Sequence, residues 1–309
     1  MSASLDVGRE RDAVRLTLGS VGAWTFAFDS SAVAQVALDA RELEALGYTA
    51  LWVPEGSSSR DVFAHLSVLA SATSTITLCS GIANITARAP EVMAAGARTL
   101  ADAHGARVVL GVGVGHEYST EARGFAWDRP LTRMRAYLDR MDDAPWYAPD
   151  PSVGVRRLLG ALGDGMLRLS AERALGAHTY FVPVEHTAHA RGVLGAGPVL
   201  AVELTAVLEV DPTRARSIAR GWTAGYLELP NYARNLERMG YGDGELTGGG
   251  SDRLVDATIA WGDEHAIVAR VREHLDAGAD HVCVQFVNGN DADVCTPAYR
   301  AISRLVVGA

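Results

Sequence analysis

Three groups of residues in this sequence have types and spacings that could do chemistry. Gly111-Val112-Gly113-Val114-Gly115-His116 alternates glycines up to a histidine. A dinucleotide fingerprint would need glycine where His116 stands, then a helix with an acidic residue suitably downstream, and neither is present. Alternating glycines instead let a flat ligand approach the backbone closely, or simply end a strand. Gly163-Asp164-Gly165 reads as a helix start whose free amides suit a phosphate, or as a turn capped by Asp164. Glu55 and His116 are the polar pair best placed for proton transfer or carbonyl polarisation. Their bland alternative is a structural carboxylate and a solvent-facing histidine.

Other signals are weaker. Glu185-His186-Thr187-Ala188-His189 spaces its histidines by three with no glutamate between them, unlike the zinc hydrolase helix, so it reads as a capped first turn and no metal is expected. There is no Gly-x-Ser-x-Gly elbow, and Ser57-Ser58-Ser59 reads as a loop.

The elements that must position these residues alternate. Short apolar runs at Arg15–Ser20, Thr49–Val53, Thr75–Cys79, Arg107–Val112, Val155–Leu162, His178–Val182, Val199–Val210 and Asp280–Phe286 read as strands. Segments of helical period separate them, such as Ala32–Leu46, with Val33, Val36, Ala37, Ala40 and Leu43 on one face. Strand–helix alternation implies a parallel sheet, and eight such units favour closure into a single (β/α)8 barrel over residues 15–309, after a leader of residues 1–14. The active site of such a barrel lies at the carboxyl ends of its strands, where all the residues above fall. Two long connections interrupt the rhythm, Gly115–Asp128 after the fourth strand and Tyr226–Gly262 after the seventh. Each reads as a lid or binding loop, or as a packing element.

Composition narrows the class. The chain has 309 residues, 48% hydrophobic and 21% charged, with 28 basic against 37 acidic side chains. A net charge of −9 without a basic block disfavours nucleic acid and anionic membranes as partners. No apolar run reaches the ~20 residues that span a bilayer. Cys79, Cys283 and Cys295 show no knuckle spacing or even count, which fits a reducing cytoplasm.

Several blocks carry a resemblance. Glu42–Glu55 (ELEALGYTALWVPE), Ile76–Pro90 (ITLCSGIANITARAP) and Val109–His116 (VLGVGVGH) resemble the bacterial luciferase-like oxidoreductases. Asp128–Leu138, Ala171–Thr187 and Gly249–Gln285 look closest to the actinobacterial branch that uses the deazaflavin coenzyme F420. The similarity runs from about Leu16 through nearly the whole chain. It implies a cytoplasmic, homodimeric barrel enzyme transferring a hydride between F420 and a small organic substrate. It also admits a flavin mononucleotide (FMN) monooxygenase, or a family member that binds cofactor without turnover.

Carried over by position, Ser80, Gly81 and Ile82 match the third-strand bulge, where a non-prolyl cis peptide, here Gly81–Ile82, supports the back of the ring. Gly111, Gly113 and His116 match the loop beside the ring, Gly163, Asp164 and Gly165 the phosphate turn, and Glu55 the polar end of the second strand. Trp24 and Phe26 are candidates for the substrate wall. Arg60, Arg88 or Arg123 could meet an anionic cofactor tail. Family members often carry proline at the place of Asp164 and Ala-Asp-Gly at that of Ala174-Leu175-Gly176, so the departures fall on the phosphate side.

Overall fold

Each short apolar run becomes a strand because it is buried on both faces, one against the barrel axis and one against a helix. The computed structural model describes residues 2–290 and 292–306. Met1 and residues 307–309, the outer ends of the expected leader and barrel, lie outside the described residues. In chain order the first half comprises α1 (Ser2–Leu18), β1 (Val21–Trp24), α2 (Val33–Ala45), β2 (Ala50–Val53), α3 (Val62–Ala72), β3 (Thr77–Ser80), β4 (Ala83–Asn84), α4 (Pro90–His104), β5 (Val108–Gly113), α5 (Glu117–Ala122) and α6 (Pro130–Asp142). The second half comprises β6 (Arg156–Gly160), α7 (Asp164–Arg173), β7 (Gly176–Thr179), α8 (Val184–Leu194), β8 (Val199–Leu208), α9 (Pro212–Leu227), α10 (Pro230–Arg238), α11 (Asp252–Thr258), β9 (Ile259–Gly262), α12 (Glu264–Asp276), β10 (His281–Phe286) and α13 (Thr296–Val306).

Eight strands, β1, β2, β3, β5, β6, β7, β8 and β10, run parallel in that order, and pairing of β10 with both β8 and β1 closes them into a (β/α)8 TIM barrel. Two short strands sit outside the ring. β4 pairs with the end of β5, and β9 pairs with Thr205–Leu208 of β8, beyond the point where β7 stops. β9 lies inside the long connection Tyr226–Gly262, where the sequence reading places no strand; its four residues, Ile259–Gly262, are too few to show a period.

The amino-terminal reading needs one correction. Arg15–Ser20 is not a strand: α1 runs to Leu18, and the first strand begins at Val21. The run was too short to separate a strand from the last turn of a buried helix. Val14 and Leu18 of α1 are fully buried with the inward side chains Trp52, Val109 and Val199. Helix α1 therefore closes the lower end of the barrel. Arg156 ties it there by donating to Thr17 Oγ1 at 3.1 Å and to the carbonyl of Ala106 at 3.2 Å.

Three helices start on aspartate caps. Asp61, Asp211 and Asp263 accept amide protons at the starts of α3, α9 and α12, satisfying donors that the helix leaves open. Among the described residues no helix is long and apolar enough to cross a membrane.

Candidate active site

The strand pleat sends alternate residues toward the axis, so the upper interior of the barrel is fixed by register. Ala201 of β8 faces His178 of β7 and His281 of β10, and Glu203 pairs with Cys283. The middle layer is aromatic. Trp52 stacks on His178 with ring centroids 4.4 Å apart and donates through Nε1 to His281 Nε2 at 3.0 Å. His281 in turn donates Nδ1–H to the carbonyl of Gly19 at 2.8 Å. Burial drives His178 down to about 3, so it is neutral, and its Nδ1 donates to the carbonyl of Ala201.

Above this layer sits the β3 bulge. The Gly81–Ile82 peptide is cis, and both residues are half-buried. A side-chain carbon at Gly81 would lie 2.5 Å from Trp24 Nε1 and 3.2 Å from His178 Nε2. Those two atoms, one donor and one acceptor, are buried without hydrogen-bond partners among the described residues. Gly111 and Gly113 serve the bulge itself. A carbon at Gly111 would lie 2.1 Å from the Ser80 carbonyl oxygen, and one at Gly113 2.5 Å from Ile82 Cδ1. Ser80 adds a hydrogen bond from Oγ to the Gly111 carbonyl at 2.9 Å.

The two expected proton-handling residues are not joined. Glu55 accepts from Arg88 through both oxygens, from the Asn84 amide at 2.8 Å and from the Val62 amide at 3.3 Å. With only 5% of the Glu55 side chain and 8% of the Arg88 side chain exposed, this is a buried, saturated pair that braces the β3–α4 loop. His116 precedes α5 and lies between Tyr118 and Tyr232, with centroids 5.8 and 5.6 Å away. Burial lowers its pKa, while a hydrogen bond with Asn231 acts the other way. Its Nδ1 has no partner among the described residues.

Trp24 and Phe26 do form one wall, with centroids 4.5 Å apart. The wall continues into residues the sequence reading missed: Tyr180 lies 5.3 Å from Trp24, and Trp222 5.8 Å from Phe26. Tyr226 and Tyr232, from the end of α9 and from α10, pack 5.4 Å from one another and against Phe181. Tyr180 donates its hydroxyl to Gln285 Oε1 at 2.8 Å and shares a 2.9 Å hydrogen bond with Tyr226. Below them Glu203 is 1% exposed and accepts from Thr205 Oγ1 at 2.7 Å and from the Phe181 amide at 3.1 Å. Desolvation pushes its pKa up to about 7. A signal was available, since a lone carboxylate in the apolar run VLAVELTAVL is rarely buried without a reason.

At the end of the adjoining strand β6, Gly163 precedes α7, and the amides of Asp164 and Gly165 donate to nothing among the described residues. The Asp164 carboxylate is engaged by His189 at 2.7 Å and Arg168 at 3.1 Å. The second histidine of that pair, His186, bonds the Leu162 carbonyl at 2.8 Å. A carbon at Gly163 would lie 3.7 Å from Arg238 Nη2. Arg238, on α10, is exposed and has no carboxylate partner among the described residues. The three arginines suggested by sequence are committed elsewhere: Arg88 to Glu55 and Asp61, Arg60 to the carbonyls of Phe28 and Ser31, Arg123 to that of Gly56.

Comparison with known proteins follows this geometry. A family model described as luciferase-like monooxygenase matches residues 24–281. A 5,10-methylenetetrahydromethanopterin reductase of Methanolobus tindarius is 25% identical over a 325-residue alignment covering 90% of this chain and 97% of the relative. The coenzyme F420-dependent tetrahydromethanopterin reductase of Methanopyrus kandleri has a similar structure, with a TM-score of 0.72 at 19% identity over 93% of this chain and 98% of that one. The oxygenating constituent of 3,6-diketocamphane monooxygenase from Pseudomonas putida, solved with FMN, reaches 0.68 at 16% identity over 93% and 97%. The two structural matches speak to the fold.

Proposed function

This chain belongs to the luciferase-like monooxygenase family of enzymes, and from that premise we propose that it transfers a hydride between coenzyme F420 and a small organic substrate. The observation that carries the proposal is the likeness along nearly its whole length to a methylenetetrahydromethanopterin reductase, whose namesake fold neighbour is F420-dependent. The residues present suit such a group. Trp24 Nε1 and His178 Nε2 are an orphaned donor and acceptor beside the half-buried Gly81–Ile82 bulge, as a flat ring with polar edges would require. The open amides at Asp164 and Gly165 and Arg238, which has no carboxylate partner among the described residues, suit an anionic tail.

When bound, the deazaflavin supplies the hydride chemistry; the protein positions it and excludes water. Ser80, Gly81 and Ile82 form the support for the ring, with Gly111 and Gly113 leaving room for that bulge. Gly163, Asp164 and Gly165 hold the tail, with the Asp164 carboxylate turned aside by His189 and Arg168 so that it does not repel phosphate. Trp24 and Phe26, continued by Trp222 and Tyr226, wall the substrate and keep water out. His116, kept neutral by burial, accepts the substrate proton. Glu55 acts through Arg88 and Asn84 by fixing the loop that carries the bulge. The reading includes a cytoplasmic homodimer in which residues 226–262 form a cover over the mouth.

An FMN-dependent monooxygenase is the second reading, supported by the FMN-bound fold neighbour. Titration of the purified protein with F420 and, separately, with FMN, followed by fluorescence quenching, separates the two. Micromolar or tighter binding of F420 alone supports hydride transfer. Preference for FMN moves the assignment to oxygen chemistry, and binding of neither leaves a member without a working cofactor site.

A further inference from the structure

Phe181 occupies the left-handed region with φ of 53°, where a bulky side chain is rarely found without a restraint. The restraint is its amide, which donates to Glu203 Oε2. Phe181 directly follows Tyr180, so the same bond fixes where the chain leaves β7 and hence the direction of the Tyr180 phenol. That phenol joins β10, through Gln285, to the end of α9, through Tyr226. It also packs on Trp24.

We propose that Glu203 is a positioning residue for the hydride-transfer reaction proposed above: its carboxyl group aims Tyr180 at the barrel mouth through the Phe181 amide, and gain or loss of its proton loosens or tightens that aim. The inference rests on that functional reading only for the reaction it serves.

The chemistry follows from the partners. Among the described residues, the titratable groups that act on Glu203 are Tyr180, just after β7, Tyr232 from α10 and Cys283 from β10, and no cation is among them. Burial raises the pKa of each of the three, so they stay protonated and uncharged near neutrality. Glu203 therefore has two hydrogen-bond donors and no counter-charge. When ionised it holds the Phe181 amide with a charge-assisted bond, roughly twice as strong as a neutral one. A proton on Oε2 removes that acceptor and frees the turn. With a proton on Oε1, that O–H donates to Thr205 Oγ1 after rotation of the threonine hydroxyl, leaving a neutral, weaker acceptor for Phe181. Either way, protonation slackens the Tyr180 anchor. His178, beside the bulge, contrasts with it and is neutral throughout the physiological range.

The test begins with the cofactor-free protein. Intrinsic tryptophan fluorescence, followed from pH 5 to 9, reports on Tyr180 through Trp24 and on Tyr226 through Trp222. The wild type should show a step with its midpoint near the Glu203 value of about 7. The isosteric Glu203→Gln variant should lose it while retaining the wild-type circular dichroism. Thr205→Val, which removes a donor to the ionised form, should move the step upward by about one pH unit. With F420 and a turned-over substrate, the same limb should vanish from the kcat profile of Glu203→Gln. A flat wild-type titration, or an undiminished step in Glu203→Gln, overturns the proposal. Failure of the functional reading looks different: neither protein binds F420, yet the fluorescence step and its loss in the variant remain.

Discussion

Two carboxylates sit at the upper rim of this barrel, and their surroundings are opposite. Glu55, beyond β2, is enclosed by the Arg88 guanidinium and two backbone amides. Glu203, in β8, is buried as deeply with a hydroxyl and one amide but no cation. The first is a fastener, its carboxylate met by a guanidinium at hydrogen-bond distance. The second holds charge reluctantly, and its cost depends on pH. Residue type and strand-end position, the criteria available from sequence, select Glu55; the electrostatic environment, visible only in the fold, singles out Glu203.

Breaking the balanced site should have the largest effect. Arg88→Ala strands a buried carboxylate, and the expected loss is about 3–5 kcal/mol in chemical denaturation at pH 7. A loss below about 1 kcal/mol would mean that water reaches Glu55, and the contrast with Glu203 would collapse.

The unbalanced site makes a pH-dependent prediction. The folded protein keeps the Glu203 proton up to about 7, whereas the unfolded chain releases it near the ordinary 4.5. Between those values the folded state binds more protons, so the contribution to stability is unchanged below the window, falls as pH rises through it, and levels off above. The total penalty is on the order of 3 kcal/mol. Glu203→Gln should escape it, so denaturation midpoints of variant and wild type should diverge in favour of the variant from pH 4.5 to 8. Parallel curves would sink this assignment.

Smaller effects sharpen the comparison at the neighbouring loops. Gly111→Ala forces the Ser80 bulge to move and should cost about 1–3 kcal/mol, measured by thermal unfolding. Arg238→Ala should leave stability nearly unchanged and weaken F420 binding about tenfold, or ~1.4 kcal/mol, in the quenching titration. An unchanged Kd would remove Arg238 from the tail site.

Much of the barrel was legible because apolar runs and turn signals repeat in step: β2, β3, β5 and β10, and helix α2, fall within a few residues of the sequence reading. The ends of the pattern were not. The last turn of α1 was too short and apolar to distinguish from a strand, and β9 is a four-residue strand recruited where β7 gives out. The candidate site could be proposed where strand-end glycines mark the backbone, as at Gly111 and Gly163, while Gly81 came from the family resemblance. It was hidden where function depends on side chains from distant elements meeting. Tyr226, Tyr232 and Arg238 come from the long connection after β8, and nothing local tells which of its aromatic and basic residues turn inward. The reason for Gly111 and Gly113 also differs from the expected one. The closest neighbours of both glycines are the protein's own Ser80 and Ile82.

The closing of the ring by β10 between β8 and β1 has a consequence in time. A chain emerging from the ribosome carries β1 as an open edge through the synthesis of more than 250 further residues, until His281–Phe286 arrives to cover it. Unpaired edges invite association with other chains. Cells making this protein therefore face their greatest aggregation hazard before release, and shielding of the β1 edge by a chaperone should matter most for chains stalled between β8 and β10.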